Sequence, residues 1–403
     1  MNLRRIILEL FYIQLIITNI IWIPNIINRT LGLVYIMLGI LALLTGNLKP
    51  RITFFTKLIY IYCFFSFISG LIGGYFSLGL VLSTVQFVCF TVIICCYNYE
   101  ELIKQMLKYL KTISMIIPYS VIYSIFLIVF GKTVYKDGIY ENYINLFFSQ
   151  KAYGYYGDLG YASFYTNPNI WALLLFFSIV YYLYIYNGNK KFFYTAIAGV
   201  GIILADSRAI EICCIIALVL KVFEWFKNKI KKRGCLVLAI IGILFLGVII
   251  GSKITSITEK LQTIDWAGRI QMWVIMLQSI KKHPIFGIGF SMSTKNLLGN
   301  TILGTTVGSH NSYLNVIAEN GIVGGSILVV MIISILGIIK KVSITSLDDT
   351  NYCYCAVRVI FLIYIIYSFV ENALMIVEFR YAIWLMSCLI IEGFYLKKRI
   401  RVG

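Results

Sequence analysis

Apolar runs recur from one end of this chain to the other, many of them within the roughly 17–25 residues that cross about 30 Å of hydrocarbon. The pattern predicts twelve spanning helices, at 6–24, 31–46, 54–74, 78–97, 112–131, 168–187, 192–206, 209–226, 235–252, 311–339, 355–370 and 379–396. Lys and Arg cluster in alternate connections, from Arg4-Arg5 through Lys49 and Arg51 to Lys397–Arg401. Basic clusters mark cytoplasmic loops, so both termini are expected in the cytoplasm, with odd helices running outward. Arg4-Arg5 followed by Ile6–Pro24 predicts a retained signal anchor. The reading is an all-α integral membrane protein of about 12 transmembrane helices, a single polytopic domain over 1–403.

Two connections on the outer side are long. Residues 131–167 form a tyrosine-rich loop, and 253–310 a large loop before helix ten. The second contains WAGRIQMWVIMLQSIKKHP, where Trp266, Ile270, Trp273, Val274, Leu277 and Ile280 make a helical apolar stripe. Pro284 and Gly287-Ile-Gly289 end it. An amphipathic helix in the outer interface is expected, with its tryptophans at headgroup depth. No internal repeat is apparent, which removes support for a transporter of inverted halves.

Composition agrees with the membrane class: 60% of residues are hydrophobic and 13% charged, about half the charge of a soluble chain. The net charge of +18 resides in the loop clusters, an inside-positive pattern and not a nucleic-acid footprint. Most of the ten cysteines lie in apolar runs and behave as small hydrophobes. Cys353-Tyr-Cys355 has no second pair to complete a zinc site. Neither a metal nor another cofactor is expected.

Polar groups that can do chemistry gather on the outer side. Asn167-Pro168-Asn169 opens helix six, Asp206-Ser207-Arg208 turns between helices seven and eight, and His310-Asn311 opens helix ten. His310 reads equally as a general base and as a residue that caps the helix or bonds a loop carbonyl. Tyr313, Gly321, Gly324 and Gly325 follow it along one face, with Glu319 farther down the helix. His283, beside Pro284, reads as a turn residue. Arg208 and Arg269 suit a phosphate, or else lipid headgroups; an arginine in a tight outer turn runs against the inside-positive bias. Glu9, Glu211 and Glu371 acquire no role from the sequence.

These residues fall in the order of a known signature. NPN at 167–169, DSRA at 206–209, GRIQMWVIMLQSIKKHPIFGIG at 268–289 and HNSYLNVIAENGIVGG at 310–325 resemble the O-antigen polymerase and O-antigen ligase superfamily. The first 160 residues match it only in hydropathy. The resemblance implies a fold like the C-type membrane glycosyltransferases and an outward-facing site in the bacterial cytoplasmic membrane. It implies a glycan donor and acceptor carried on undecaprenyl diphosphate, with no nucleotide sugar and no metal. His310 would be the catalytic base, and Arg208 and Arg269 would bind the diphosphate. Asn311, Tyr313, Glu319, Asn167 and Asn169 would support the site or hold the acceptor. A flippase and a chain-length regulator would be partners.

Within that chemistry the chain would be a repeat-unit polymerase for capsule, exopolysaccharide or O-antigen, or a ligase moving finished glycan to lipid A-core or protein. Abundant Ile, Lys, Asn and Tyr with little Ala suggests an AT-rich genome, often a bacterium without an outer membrane, which tips the reading to polymerase. A lipid-linked glycan flippase is the alternative of a different class. It would place charges at mid-membrane depth, whereas here the capable residues concentrate at helix ends.

Overall fold

The computed structural model describes residues 3–402 apart from 143–150, 153–161, 230–265, 293–308, 343–348 and shorter gaps in loops. Twelve helices appear among the described residues. They begin with α1 (Leu3–Ile17), α2 (Asn25–Leu44), α3 (Phe54–Ile72), α4 (Leu78–Cys95) and α5 (Tyr99–Phe130). Next come α6 (Pro168–Val180), prolonged by a π turn over Tyr181–Ile185, α7 (Lys191–Ala205) and α8 (Arg208–Lys229). The last four are α9 (Trp266–Lys282), α10 (Ser312–Lys341), α11 (Asp349–Tyr367) and α12 (Phe379–Val402). Among the described residues six helices are long and apolar enough to cross a bilayer, and shorter apolar helices accompany them, as in a multi-pass membrane protein.

Eleven of the twelve expected spans coincide with these helices; the expected span at 235–252 and most of the loop 253–310 lie outside the described residues. The amphipathic helix is present as α9. Helix α5 starts well before the expected residue 112, because a charged turn precedes its apolar part. Asn98 and Glu101 form a reciprocal cap there, each side chain accepting the other's backbone N–H at 2.9 Å. The helical class holds for the spanning body. In the tyrosine-rich loop, β1 (Thr133–Lys136), β2 (Ile139–Asn142) and β3 (Lys151–Ala152) pair antiparallel in that order. Hydropathy alone registers no such short pairing.

The centre of the bundle is α6 and α12. Every residue from Trp171 to Val180, and from Tyr381 to Ile391, is buried. Helix α2 instead exposes Leu33, Met37 and Leu44, a face suited to lipid because lipid tails are as apolar as the side chains themselves.

Charged groups tie one end of the bundle together. Arg4 reaches Glu101 at 2.6 Å and the Cys96 carbonyl at 3.2 Å, Arg51 reaches the Tyr97 carbonyl at 3.1 Å, and Lys397 pairs with Glu100 at 3.0 Å. Several of the basic clusters singled out in the sequence therefore meet at a common face. Arg380, at the start of α12, is about 25 Å along the helix from Lys397 at 1.5 Å per residue. The starts of α6, α10 and α12 thus belong to the opposite end.

Helix α10 is not continuous. Gly321 has φ 63° and ψ −168°, outside helical geometry and accessible essentially to glycine alone. The hydrogen bonds that a continuous helix would form there are exchanged with the loop after α9. Ile288 and Gly289 donate to the carbonyls of Ala318 and Glu319 at 3.0 and 2.8 Å, while Ile322 donates to Pro284 O at 2.8 Å. Backbone groups on both sides of the break thus find partners in the loop, as membrane depth demands. A Cβ on Gly321 would strike the Ile285 carbonyl, and one on Gly287 the backbone of Glu319. The HPIFGIG and ENG stretches are therefore two halves of one backbone clasp. The second stretch does more than present a packing face, since its first residue, Glu319, lines the cavity described next.

Candidate functional site

At the end opposite the basic cluster, a cavity of about 400 Å³ opens between α4, α6, α10 and the connection from α11 to α12. Its lining is polar for a span-rich protein. Asn167 and Asn169 come from the start of α6, Ser83 and Gln86 from α4, Asn315 and Glu319 from α10. His310 precedes α10, and Glu371, Asn372 and Arg380 close the wall.

The geometry around His310 is built from its neighbours. Asn311 caps α10, its side chain accepting the N–H groups of Tyr313 and Leu314 at 3.0 Å. Its own N–H donates to Asn372 Oδ1 at 3.1 Å. On the other side, the Trp273 indole of α9 donates to Ser309 O at 2.9 Å. His310 is pinned between these anchors in a left-handed conformation, φ 49°. Five described non-glycine residues have positive φ, and three of them, Ser291, His310 and Met375, line this cavity. Conformations of this kind cost energy and concentrate at functional sites.

His310 Nδ1 lies 3.3 Å from Glu371 Oε1. With the Nδ1 proton on that side, Nε2 is the nitrogen left to accept one. Asn169 Nδ2 donates to the same carboxylate oxygen at 2.8 Å, and Ser207 Oγ donates to Asn169 Oδ1 at 2.9 Å. Arg380 stands 3.8 Å from the other oxygen. Ser312 bolts the segment carrying Glu371 to the start of α10: its hydroxyl donates to Glu371 O and accepts the Ala373 N–H, both at 2.8 Å. A relay Ser207–Asn169–Glu371–His310 thus joins four separate parts of the chain. It orients an imidazole as the third member of a catalytic triad does.

The residues expected from the sequence divide into groups. His310, Glu319, Asn167 and Asn169 share the cavity. Asn311 caps the helix beneath it. Tyr313 turns away, donating to Ile365 O at 2.8 Å and packing on Phe369. Arg208 opens α8 beside Ser207 and is not part of the cavity wall, so the DSR turn contributes through its serine. Arg269 belongs to α9, but its side chain lies outside the described residues. His283 ends α9, away from the cavity, as a turn residue would.

Glu371 and Arg380 were not assigned a role by spacing, and Gln86 was hidden inside an apolar run. One usable signal existed, since Glu371-Asn372 and Arg380 are polar residues at the ends of two long apolar runs. Glu371→Gln keeps the shape of the relay and removes its charge. The turnover rate should fall about 10- to 100-fold with KM nearly unchanged, as for a group that orients a base without holding substrate. Steady-state kinetics on the purified variant checks this.

No curated protein matches the chain. The matched family covers the segment that carries Ser207, His310 and Glu319, whereas Gln86, Asn169, Glu371 and Arg380 lie beyond it. Residues 192–329 match the family described as O-antigen ligase, which is consistent with the resemblance to the O-antigen polymerase and ligase superfamily.

Proposed function

We propose that this protein joins undecaprenyl-diphosphate-linked oligosaccharide repeat units at the outer face of the bacterial cytoplasmic membrane, without a metal or other cofactor. The observation that carries the reading is the His310–Glu371 pair, 3.3 Å apart in a cavity rich in amides. Amide and carboxylate groups suit sugar hydroxyls, which both donate and accept. The outward orientation is supported by the basic groups gathered at the other end of the bundle.

In this reading the acceptor hydroxyl attacks the anomeric carbon of the donor. Its proton passes to His310 Nε2 as the new C–O bond forms. The old bond from the anomeric carbon to the phosphate oxygen breaks, and the lipid diphosphate leaves with the electron pair. Arg208 and Arg269 stabilise that developing charge, as the family resemblance implies. Asn167, Asn169 and Glu319 hold the acceptor.

Reconstitution with synthetic lipid-diphosphate repeat units tests the reading. With chelator present, a ladder of products on a gel is expected, at the same rate as without it. A single transfer to a lipid A-core or protein acceptor would make the protein a ligase. Passage of the lipid across the bilayer with no product would make it a flippase, and dependence on a divalent ion would end the metal-free mechanism.

A further inference from the structure

Beside the polar cavity is a second recess, of about 60 Å³, between α1, α2, α4 and the start of α12. Phe11, Tyr35, Phe90 and Phe379 give it an aromatic wall. Phe11, Tyr35 and Phe90 pack ring to ring, with centroids 5.6–5.9 Å apart. Gln86 lines both compartments and so joins them.

The aromatic wall is interrupted by an amide that has no partner. Gln14 lines the recess, and its Oε1 is buried without a hydrogen bond among the described residues. A buried acceptor left empty is destabilising, and in a native protein it calls for an explanation. Helix α2 makes room for this amide through Gly32, otherwise a poor choice inside a helix. A Cβ at Gly32 would come within 2.8 Å of Gln14 Nε2. Gln86 is a second amide, midway along apolar α4, a placement that in membranes marks function by default.

These features define an occupant. It carries an N–H for Gln14 Oε1, an acceptor for the Gln86 amide and an apolar end for the rings. It is also small. A water needs about 10–15 Å³ on this scale, so the recess takes roughly four to six heavy atoms. An isoprenoid or acyl chain would leave the Gln14 amide unpaired, and water alone would leave the rings wet.

We propose that the recess receives the acetamido group of an N-acetylated sugar whose ring lies in the polar cavity. This rests on the lipid-linked glycan reading and adds a substrate class, a repeat unit that contains an acetamido sugar. The N–H of the group donates to Gln14 Oε1, Gln86 Nε2 donates to its carbonyl, and its methyl meets the aromatic wall. A hydroxyl at the same ring position cannot reach these partners. Sites built to hydrogen-bond a group discriminate strongly against the analogue that lacks it.

Saturation-transfer NMR on wild-type protein in nanodiscs gives a test that needs no variant. The probes are the methyl glycosides of N-acetylglucosamine and N-acetylgalactosamine, and those of glucose and galactose. An acetamido glycoside should bind at least about tenfold tighter than its hydroxyl counterpart, with the acetyl methyl the most strongly saturated group. Gln14→Leu keeps the bulk and removes the acceptor. It should abolish the preference, leave the hydroxyl glycosides unaffected, and hold or raise the melting temperature, since an unpaired buried amide is lost. Ile36→Trp, which fills the recess, should abolish the preference as well. Equal binding of the two glycoside classes, saturation confined to ring protons, or a full preference in either variant would overturn the proposal. Displacement of the acetyl signal by a neutral isoprenoid alcohol would assign the recess to a lipid chain and overturn it too. A lowered melting temperature for Gln14→Leu would do the same, by showing that the amide is structural. If lipid-linked repeat units still polymerise in any such event, only the recess is misassigned. If the wild type binds no glycoside and transfers no glycan, the functional reading falls with it.

Discussion

Replacing His310 with alanine is expected to slow glycosyl transfer by about 10²- to 10⁴-fold, the usual contribution of a positioned general base. The loss should appear in kcat, because the amide side chains that hold the sugars remain. Alanine at φ 49° bears the same backbone strain as histidine, so stability should change little. The anchors on either side are also untouched, since Asn311 bonds Asn372 and Ser309 bonds Trp273 through their backbones. Thermal unfolding in detergent, run beside the rate measurement, separates loss of chemistry from loss of fold. Transfer within threefold of wild type by a stable His310→Ala protein would assign the imidazole a purely structural role.

The second large effect falls on the fold. Gly321→Ala should lower stability by about 2–5 kcal/mol, combining the cost of a conformation nearly exclusive to glycine with a collision against the Ile285 carbonyl. The collision is with backbone, so no side-chain rotation relieves it. Gly337→Ala is the internal comparison. It lies on the same helix with nothing within 4 Å of the added carbon, and should be neutral or slightly stabilising. Scanning fluorimetry of the two variants reports the difference. Equal melting temperatures would mean that the α9 loop does not clasp α10 as described. Loss of the clasp would also move Glu319, one residue from the break's flank, and so open the cavity.

Much of the architecture could be read from hydropathy because a membrane span is a long, uniform signal. Helices at eleven of the expected positions, six of them long and apolar enough to cross a bilayer, and the amphipathic α9 follow from it. The break in α10 was not visible, because Gly321 reads as one small residue in a small-residue face. Its meaning appears only when the HPIFGIG loop, more than thirty residues earlier in the chain, takes over its hydrogen bonds. The site was legible where chemistry is concentrated in short polar motifs: His310, Asn169 and the DSR turn all contribute to it. At the DSR turn the structure adds a residue that the motif did not single out, Ser207, whose hydroxyl bonds Asn169 of the cavity wall. Glu371 and Arg380 stayed hidden because a carboxylate's partner is set by how helices pack, and α11 and α12 lie far from His310 in sequence. Ser312 shows how closely packing fixes that distance, with one hydroxyl bonded to both segments.

The central claim is that His310 takes the proton of an acceptor hydroxyl while a lipid diphosphate leaves. The most direct measurement is release of undecaprenyl diphosphate from a synthetic lipid-linked repeat unit, followed by phosphorus NMR with purified protein, chelator and acceptor glycan. Wild-type protein should release one lipid diphosphate for each glycosidic bond formed, and His310→Ala should release it at least 100-fold more slowly. Equal release by the two proteins, or bond formation without release, would contradict the account.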